Sequence, residues 1–221
     1  LHSQFQAVSN HARRKGIILK GDLPIGIHRT SVEAWTDTRY FNMNGQAGAP
    51  PDDFSAMGQN WSFPSYNWEV MEEDGFTWWK KRFGKMSDYF DSFRIDHILG
   101  FFRIWEIPLD YVQGLCGHFR PALPLTAGEI ESYGLAFKKE YTLAIIHRKY
   151  LPELFGEQTV TVTDHYLFPM DAEHMMLNPF CDTQRKIQRL FKGKEDNVSQ
   201  QIHSGLYALA NEVLFLEDPY E

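Results

Sequence analysis

Two aspartates stand at the ends of short apolar runs that predict buried strands. Asp22 follows Ile17-Ile18-Leu19-Lys20, and Asp96 closes Phe93-Arg94-Ile95-Asp96. Carboxylates at the carboxyl ends of parallel strands are typical of α/β enzymes, because the loops that form active sites meet there. Strand alternation puts Arg94 on the same face as Asp96, where a guanidinium can keep the carboxylate ionised and oriented. Such a carboxylate can act as a nucleophile, although spacing alone favours a structural salt bridge.

Histidine offers little further chemistry in this chain. His97 directly follows Asp96 and points to the opposite face of the strand, which predicts a hydrogen-bonded framework residue rather than an acid or base. The nine histidines include no HxH or HExxH spacing, so a metal site built on Asp96, His97 and His118 is disfavoured. The glycines near Asp22 match no phosphate-binding loop. We predict no metal.

An aromatic segment separates the two strands. Residues 42 to 68 are dense in Gly, Pro, Asn, Asp and Ser and predict a long loop. Its aromatic side chains form either a small satellite core or a platform for sugar rings, since aromatic faces pack on C–H surfaces. Polar neighbours would supply hydroxyl partners. The residues concerned are Trp61, Tyr66 and Trp68, with Asp52, Ser55, Gln59 and Asn60. Composition leaves both interpretations open.

Helical patterns flank these strands in the first half of the chain. The spacing of Phe5, Val8 and Ala12 predicts an amphipathic helix that ends at Gly16. A second apolar face runs from Phe76 to Phe90. The order strand, helix, strand predicts a parallel sheet or a (β/α) barrel.

The second half is predicted to be mostly helical. Thr126 and Glu129 form a potential capping box for a helix through about Lys149. Thr183 is expected to cap another short helix. The apolar spacing of Val198, Ile202, Leu209 and Val213 predicts a last one.

Composition excludes several functional classes. The 221 residues carry 22 Lys and Arg against 29 Asp and Glu, a net charge of −7, with 43% hydrophobic residues. No basic tract is present to neutralise phosphates, which argues against nucleic acid as a partner. No apolar run of membrane-spanning length and no signal core occurs, so we expect a cytoplasmic protein with reduced thiols at Cys116 and Cys181. The missing initiator Met and the end at Asp218-Pro219-Tyr220-Glu221 suggest a fragment of a longer chain.

Three longer motifs resemble one enzyme family. K-G-D-L-P-I-G-I (Lys20 to Ile27), Q-A-G-A-P-P-D-D-F-S-A-M-G-Q-N-W (Gln46 to Trp61) and F-R-I-D-H-I-L-G-F-F-R-I-W-E-I-P (Phe93 to Pro108) are similar to the amylomaltases, or 4-alpha-glucanotransferases. The resemblance covers about residues 1 to 110. It is closest to the plant cytosolic subtype, whose members carry an insertion after the nucleophile strand.

The resemblance implies a fold, a reaction and a set of site residues. The fold would be α/β: residues 1–110 would be part of a (β/α)8 barrel, and residues 111–221 a mostly helical insertion. The reaction would be a retaining double displacement on α-glucans or maltooligosaccharides, which needs no cofactor. Asp96 would be the nucleophile and Arg94 the arginine that contacts it. The substrate-binding residues would be Asp22, Asp52, Ser55, Gln59 and Trp61.

The sequence also departs from the family pattern. The family needs a general acid/base Glu in an E-D-L-G setting and a stabilising Asp in a T-H-D-N setting, and neither motif occurs in these 221 residues. The isolated chain is therefore expected to be inactive and to self-associate through exposed barrel edges. Alternatives are an α-glucan hydrolase of a related barrel family and a non-catalytic α-glucan-binding module. A further alternative treats the helical half as an assembly domain.

Overall fold

The computed structural model describes residues 1–217 as an α/β protein that divides into two compact units. The first unit contains Leu1–Ala49 and Trp61–Glu106, and the second contains Pro50–Asn60 and the chain from Ile107. The α-helices are α1 His2–Arg14, α2 Val32–Thr36, α3 Trp68–Glu73, α4 Thr77–Ser87, α5 Ala127–Ser132, α6 Leu151–Phe155, α7 Thr159–Tyr166, α8 Gln184–Leu190 and α9 Asn197–Ala210. The strands are β1 Lys20–Leu23, β2 Phe41–Asn42, β3 Gly45–Ala49, β4 Gln59–Asn60, β5 Ser65–Tyr66, β6 Ser92–Ile95, β7 Ile104–Pro108, β8 His118–Arg120, β9 Ile146–His147, β10 Leu167–Pro169 and β11 His174–Leu177. No helix within residues 1–217 is long and apolar enough to cross a membrane.

The parallel strand pair predicted from the sequence is confirmed, with a shift in the first strand. β1 and β6 pair in parallel, with Asp22 opposite Arg94. The first strand begins at Lys20 rather than Ile17, and Ile17 and Ile18 are exposed by 54% and 74%. Leu23 is instead the fully buried residue of this strand, so the prediction of a buried strand over Ile17–Lys20 was wrong.

Helix α1 ends where the sequence predicts but buries a different face. Gly16 takes the left-handed conformation at φ +72°, as a glycine after a helix end does. The buried residues of α1 are Ser9 and Ala12, whereas Phe5 and Val8 are at least half exposed. The predicted apolar face was therefore wrong at two of its three positions.

The core of the first unit is mainly aromatic. Phe41, Tyr66, Trp78 and Trp79 are buried and contact one another at ring-centroid distances between 4.9 and 5.8 Å. Edge-on and tilted contacts of this kind favour a fixed arrangement of rings. Tyr66 is therefore part of the main core of this unit rather than of a small satellite core, and Trp61 and Trp68 pack against that core while partly buried.

The predicted long loop over residues 42 to 68 is mostly irregular, but it contains several short strand segments. β3 lies within it, and Ala47 exchanges backbone hydrogen bonds with Phe63 and Trp61 at 2.8 and 2.9 Å. Gly45 approaches the buried Glu106 so closely that a Cβ would lie 2.4 Å from its carboxyl carbon. Small residues allow this approach but weaken the strand signal in the sequence, which is why the pattern predicted a loop.

The second unit combines short helices with a three-stranded antiparallel sheet in the order β10-β11-β9. Its core centres on Phe155, Val162, Ile187 and Leu206, each 0% exposed. Thr183 caps α8 as predicted, by accepting a hydrogen bond from the Lys186 N–H at 3.3 Å.

Two helix boundaries predicted in the second half were wrong. The capping box of Thr126 and Glu129 is present, but α5 ends at Ser132 rather than near Lys149. Gly134 follows at φ +93°, a left-handed conformation that stops the helix. The last helix ends at Ala210, so Val213 lies outside it. The predicted chain end, Asp218 to Glu221, lies outside the described residues.

Candidate functional site

Arg94 is the central cation of the candidate site. Its Nε donates to Asp22 Oδ1 at 2.7 Å and its Nη2 to Asp22 Oδ2 at 2.5 Å, a two-point contact that fixes the guanidinium plane. These hydrogen bonds raise the pKa of the Arg94 guanidinium. The distance from Nη2 to Asp96 Oδ1 is 3.8 Å. The two residues share a face as predicted, but the stronger partner of Arg94 is Asp22.

The charged groups of this cluster stay accessible to a ligand. The side chains of Asp22, Arg94 and Asp96 are each more than half exposed. Exposed ion pairs contribute little to folding stability. The cluster therefore lies where a polar substrate can reach both carboxylates.

Asp96 opens onto a cleft of about 690 Å³ within the first unit. The residue follows β6, and its backbone N–H donates to the Leu23 carbonyl at 3.0 Å, which extends the β1–β6 pairing by one residue. The cleft is lined by Pro24, Ile25, Gly26, Ile27, His28, Arg29, Trp61, Ser62, Phe63, Asp96 and His97. Volume and mixed lining suit a small polar ligand with an apolar face.

Trp61 forms an aromatic wall of this cleft. Its indole stacks on the Phe63 ring at a centroid distance of 5.7 Å and meets the His97 ring edge-on at 5.1 Å. His97 takes a left-handed backbone conformation at φ +49°, which is uncommon for a residue with a Cβ and turns the chain directly after Asp96. The sequence predicted a hydrogen-bonded framework His97 that points away from Asp96, whereas in the structure its ring packs on Trp61 and lines the same cleft as Asp96.

Arg29 and Gly26 also shape the cleft. The Arg29 guanidinium donates to the carbonyls of Met43 at 2.7 Å and Ser62 at 3.2 Å, and also to that of Gly45. A Cβ on Gly26 would lie 2.2 Å from the Phe63 ring, so only glycine allows this approach. Sequence reasoning missed Arg29 and the neighbouring His28. Their position directly after the K-G-D-L-P-I-G-I motif was the available signal.

The remaining predicted binding residues belong to the second unit. Asp52 Oδ1 accepts from the N–H groups of Phe54 and Ser55 at 3.0 and 2.8 Å, and Ser55 Oγ donates to the Gly58 carbonyl at 2.7 Å. Gln59 is exposed at the start of β4. The side chains of Asp52 and Ser55 thus hold a tight turn that leaves the Phe54 ring 96% exposed. Within residues 1–217, no group of three His, Cys, Asp or Glu side chains is placed to hold a metal ion.

Fold and site together define a class of protein. It is an α/β chain that places carboxylates and an arginine on paired parallel strands, beside a cleft with an indole wall, where α/β enzymes commonly bind their ligands. The model of the family described as 4-alpha-glucanotransferase matches residues 1–207. The chain belongs to this 4-alpha-glucanotransferase family, which confirms the family suggested by the three motifs.

Individual relatives are similar over different extents. 4-alpha-glucanotransferase DPE2 of Oryza sativa subsp. japonica is 40% identical over 228 aligned residues, covering 99% of this chain and 24% of that protein. The chloroplastic/amyloplastic 4-alpha-glucanotransferase of Solanum tuberosum is 37% identical, over 59% of this chain and 24% of that protein. This chain thus spans about a quarter of the length of these relatives.

A solved structure supports the fold assignment. The amylomaltase from Streptococcus agalactiae in complex with acarbose matches with a TM-score of 0.52 and 35% identity. The match covers 61% of this chain and 28% of the amylomaltase chain.

Proposed function

We propose that these residues supply part of the active site of a 4-alpha-glucanotransferase, which transfers α-1,4-glucan segments between glucans. The observation that carries this proposal is the position of Asp96, directly after β6, on the cleft that Trp61 walls and within 3.8 Å of Arg94. Family membership and the acarbose-bound amylomaltase relative support an α-glucan as the substrate.

The proposed reaction is a retaining double displacement with Asp96 as the nucleophile. Asp96 attacks the anomeric carbon, the leaving glucan departs with a proton from a general acid, and an acceptor hydroxyl then displaces the carboxylate. Arg94 orients this carboxylate and neutralises part of its charge. Because Arg94 is itself fixed by two hydrogen bonds to Asp22, its position is set before substrate binds.

Other residues of the proposed site would bind the sugar units. Trp61 offers an indole face to the C–H surface of a glucosyl ring. Asp22 has carboxylate oxygens that can also accept hydrogen bonds from sugar hydroxyls. Asp52, Ser55 and Gln59 are assigned to substrate binding on the resemblance of their motif. Their turn leaves the Phe54 ring exposed to a glucan chain.

The proposed architecture is part of a (β/α)8 barrel over residues 1–110 and a helical insertion over residues 111–221, in a cytoplasmic enzyme. Exposed apolar side chains on and after β6 support the barrel, because barrel strands are normally covered on both faces. Ile95 is exposed by 41%, Ile98 by 48% and Leu99 by 72%. Further barrel segments would cover these side chains, and without them we expect the chain to self-associate.

The 221 residues alone are proposed to be inactive. The acid/base and stabilising motifs of the family are absent from them. General acid catalysis contributes about 10²–10⁴-fold, so loss of the acid removes most of the rate. Transfer would require a protein that contains these residues together with E-D-L-G and T-H-D-N.

The test compares the 221-residue chain with the full-length protein that carries it, using maltotriose as the substrate. We expect longer oligosaccharides and glucose from the full-length protein and neither product from the 221-residue chain. Asp96→Asn should abolish both products, whereas Asp88→Asn, which removes an aspartate paired with Lys85, should retain them. Glucose and maltose without longer products would indicate a hydrolase. If the full-length protein shows no reaction, and Asp96→Asn is retained on glucan as the unaltered protein is, the protein is a binding module.

A further inference from the structure

The second unit contains a cavity that the proposed reaction does not use. It measures about 500 Å³ and is formed by α8, the turn that follows this helix, and α9. Three cations line it: Arg189, Lys192 and Lys194. We call this cavity the basic pocket.

The charges of the basic pocket are not balanced within the described chain. Arg189, Lys192 and Lys194 form no ion pair with a carboxylate anywhere in residues 1–217. By contrast, the nearby Lys186 is paired with Asp182 at 2.6 Å. The whole chain has a net charge of −7, whereas the described residues that line this pocket include three cations and no carboxylate. Clustered cations at a concave surface attract an anion.

Aromatic rings form the other part of the lining. Phe191 is 7% exposed and packs against the His203 ring at a centroid distance of 5.5 Å. His203 in turn contacts Tyr207 at 4.3 Å. Burial lowers the pKa of His203, which keeps its ring neutral near pH 7. Phe191 is thus nearly covered, and the partly exposed His203 ring offers the uncharged aromatic surface beside the three cations.

Two amide side chains complete the lining. Gln200 Nε2 donates to the Glu195 carbonyl at 2.9 Å, which leaves its side-chain oxygen to accept from a hydroxyl. Gln188 accepts from Arg185 at 3.0 Å, which leaves its NH₂ group to donate. The basic pocket thus combines an anion site, an aromatic face and hydroxyl partners.

We propose that the basic pocket binds a phosphate monoester carried by a glucosyl unit. The cations contact the phosphate, the His203 ring packs on the sugar, and the amides bind hydroxyl groups. Such a group exists both on phosphorylated glucan chains and as a free sugar phosphate. The choice of a glucosyl unit rests on the proposed function, whereas the anion site itself rests on the second unit and does not depend on Asp96 chemistry.

The first experiment measures binding to the full-length protein by titration calorimetry with glucose 6-phosphate, inorganic phosphate and glucose. We expect saturable binding of glucose 6-phosphate, weaker binding of inorganic phosphate, and none of glucose. The double variant Lys192→Gln/Lys194→Gln should bind glucose 6-phosphate at least roughly tenfold more weakly. The affinity of the unaltered protein should fall as salt increases.

Lys149→Gln is the matched control. Lys149 Nζ lies 4.8 Å from the Tyr150 ring centroid, as Lys194 Nζ lies 4.9 Å from that of Phe191, but Lys149 is outside the basic pocket. This variant should bind glucose 6-phosphate normally. Both variants should melt as the unaltered protein does, because the altered side chains are exposed.

A second experiment decides whether the phosphate belongs to a glucan chain or to a free sugar phosphate. It compares retention of the full-length protein on phosphorylated starch with its retention on the same starch after phosphatase treatment. Retention that phosphatase abolishes assigns the pocket to glucan chains, and calorimetric binding without such retention assigns it to free sugar phosphates. The proposal is overturned if no saturable binding occurs, if inorganic phosphate binds as tightly as glucose 6-phosphate, or if the double variant binds normally. Transfer between unphosphorylated maltotriose molecules should be unchanged in the double variant, so a failure here leaves the transferase proposal standing.

Discussion

Replacement of Arg94 by lysine should separate catalysis from stability. Arg94 makes two hydrogen bonds to Asp22, at 2.7 and 2.5 Å, and lies 3.8 Å from Asp96. Lysine keeps the charge but has no planar fork, so it cannot hold both oxygens of Asp22 while facing Asp96. A misplacement of about 1 Å near reacting atoms costs about 10²-fold in rate. We therefore expect kcat of the full-length enzyme on maltotriose to fall by about 10²-fold.

The same substitution should scarcely change folding. The side chains of Arg94 and Asp22 are 57% and 56% exposed, and exposed pairs contribute little to stability. We expect the melting temperature to change by no more than about 2 °C. The matched control is Arg13→Lys, since Arg13 Nε contacts Asp91 Oδ1 at 2.7 Å outside the cleft. This control should keep full kcat.

The assay measures glucose release and the formation of longer oligosaccharides by each variant. The melting temperature of the same variants is measured by calorimetry. If Arg94→Lys retains kcat within about twofold of the unaltered enzyme, Arg94 does not position the nucleophile. If kcat falls only together with a large loss of melting temperature, Arg94 has a structural role and does not specifically position Asp96.

Three further predictions concern the folded chain. Phe155→Ala should lower the free energy of unfolding by about 3–5 kcal/mol in denaturant titration, because this ring is fully buried. Cys116 and Cys181 should react with a thiol reagent at pH 8 only slowly in the native state, because burial raises the pKa of each thiol to about 11. Hydrogen bonding to Arg13 lowers the pKa of the Asp91 carboxyl, so its stabilising effect is complete above about pH 4 and is lost as pH falls through the lower folded-state value. The gap in melting temperature between unaltered protein and Asp91→Asn should accordingly stay constant from about pH 6 to about pH 4 and shrink as the pH falls further.

These predictions have specific controls. Phe180→Ala removes a ring that is 53% exposed and should cost much less than Phe155→Ala. Both thiols should react quickly in denaturant, and rapid native-state labelling would contradict their burial. A melting difference for Asp91→Asn that stays constant from pH 6 to pH 3 would show that the carboxyl pKa is not lowered by folding.

Local signals in the sequence predicted the parts of the fold that depend on short-range chemistry. The capping box at Thr126, the cap at Thr183 and the glycine end at Gly16 involve neighbouring residues, and all three occur. The parallel pairing of the Asp22 and Asp96 strands also followed from their order along the chain.

Features that depend on distant contacts were not predictable from local patterns. The first strand was predicted too early in the chain, because the apolar residues Ile17 and Ile18 suggested a buried strand. Its pairing with β6 begins only at Lys20. β3 was read as a loop because its small residues fit around the buried Glu106. The preference of Arg94 for Asp22 over Asp96 arises from cross-strand register, which a single strand does not reveal.

In the proposed reaction, Asp96 forms a covalent bond to the glucan. The most direct test incubates the full-length enzyme with a fluorinated maltosyl fluoride, which slows release of the glycosyl-enzyme, and maps the modified peptide by mass spectrometry. We expect one glycosyl group on Asp96, and no modification in Asp96→Asn. A glycosyl group on another residue, or turnover with no covalent intermediate under these conditions, would contradict it.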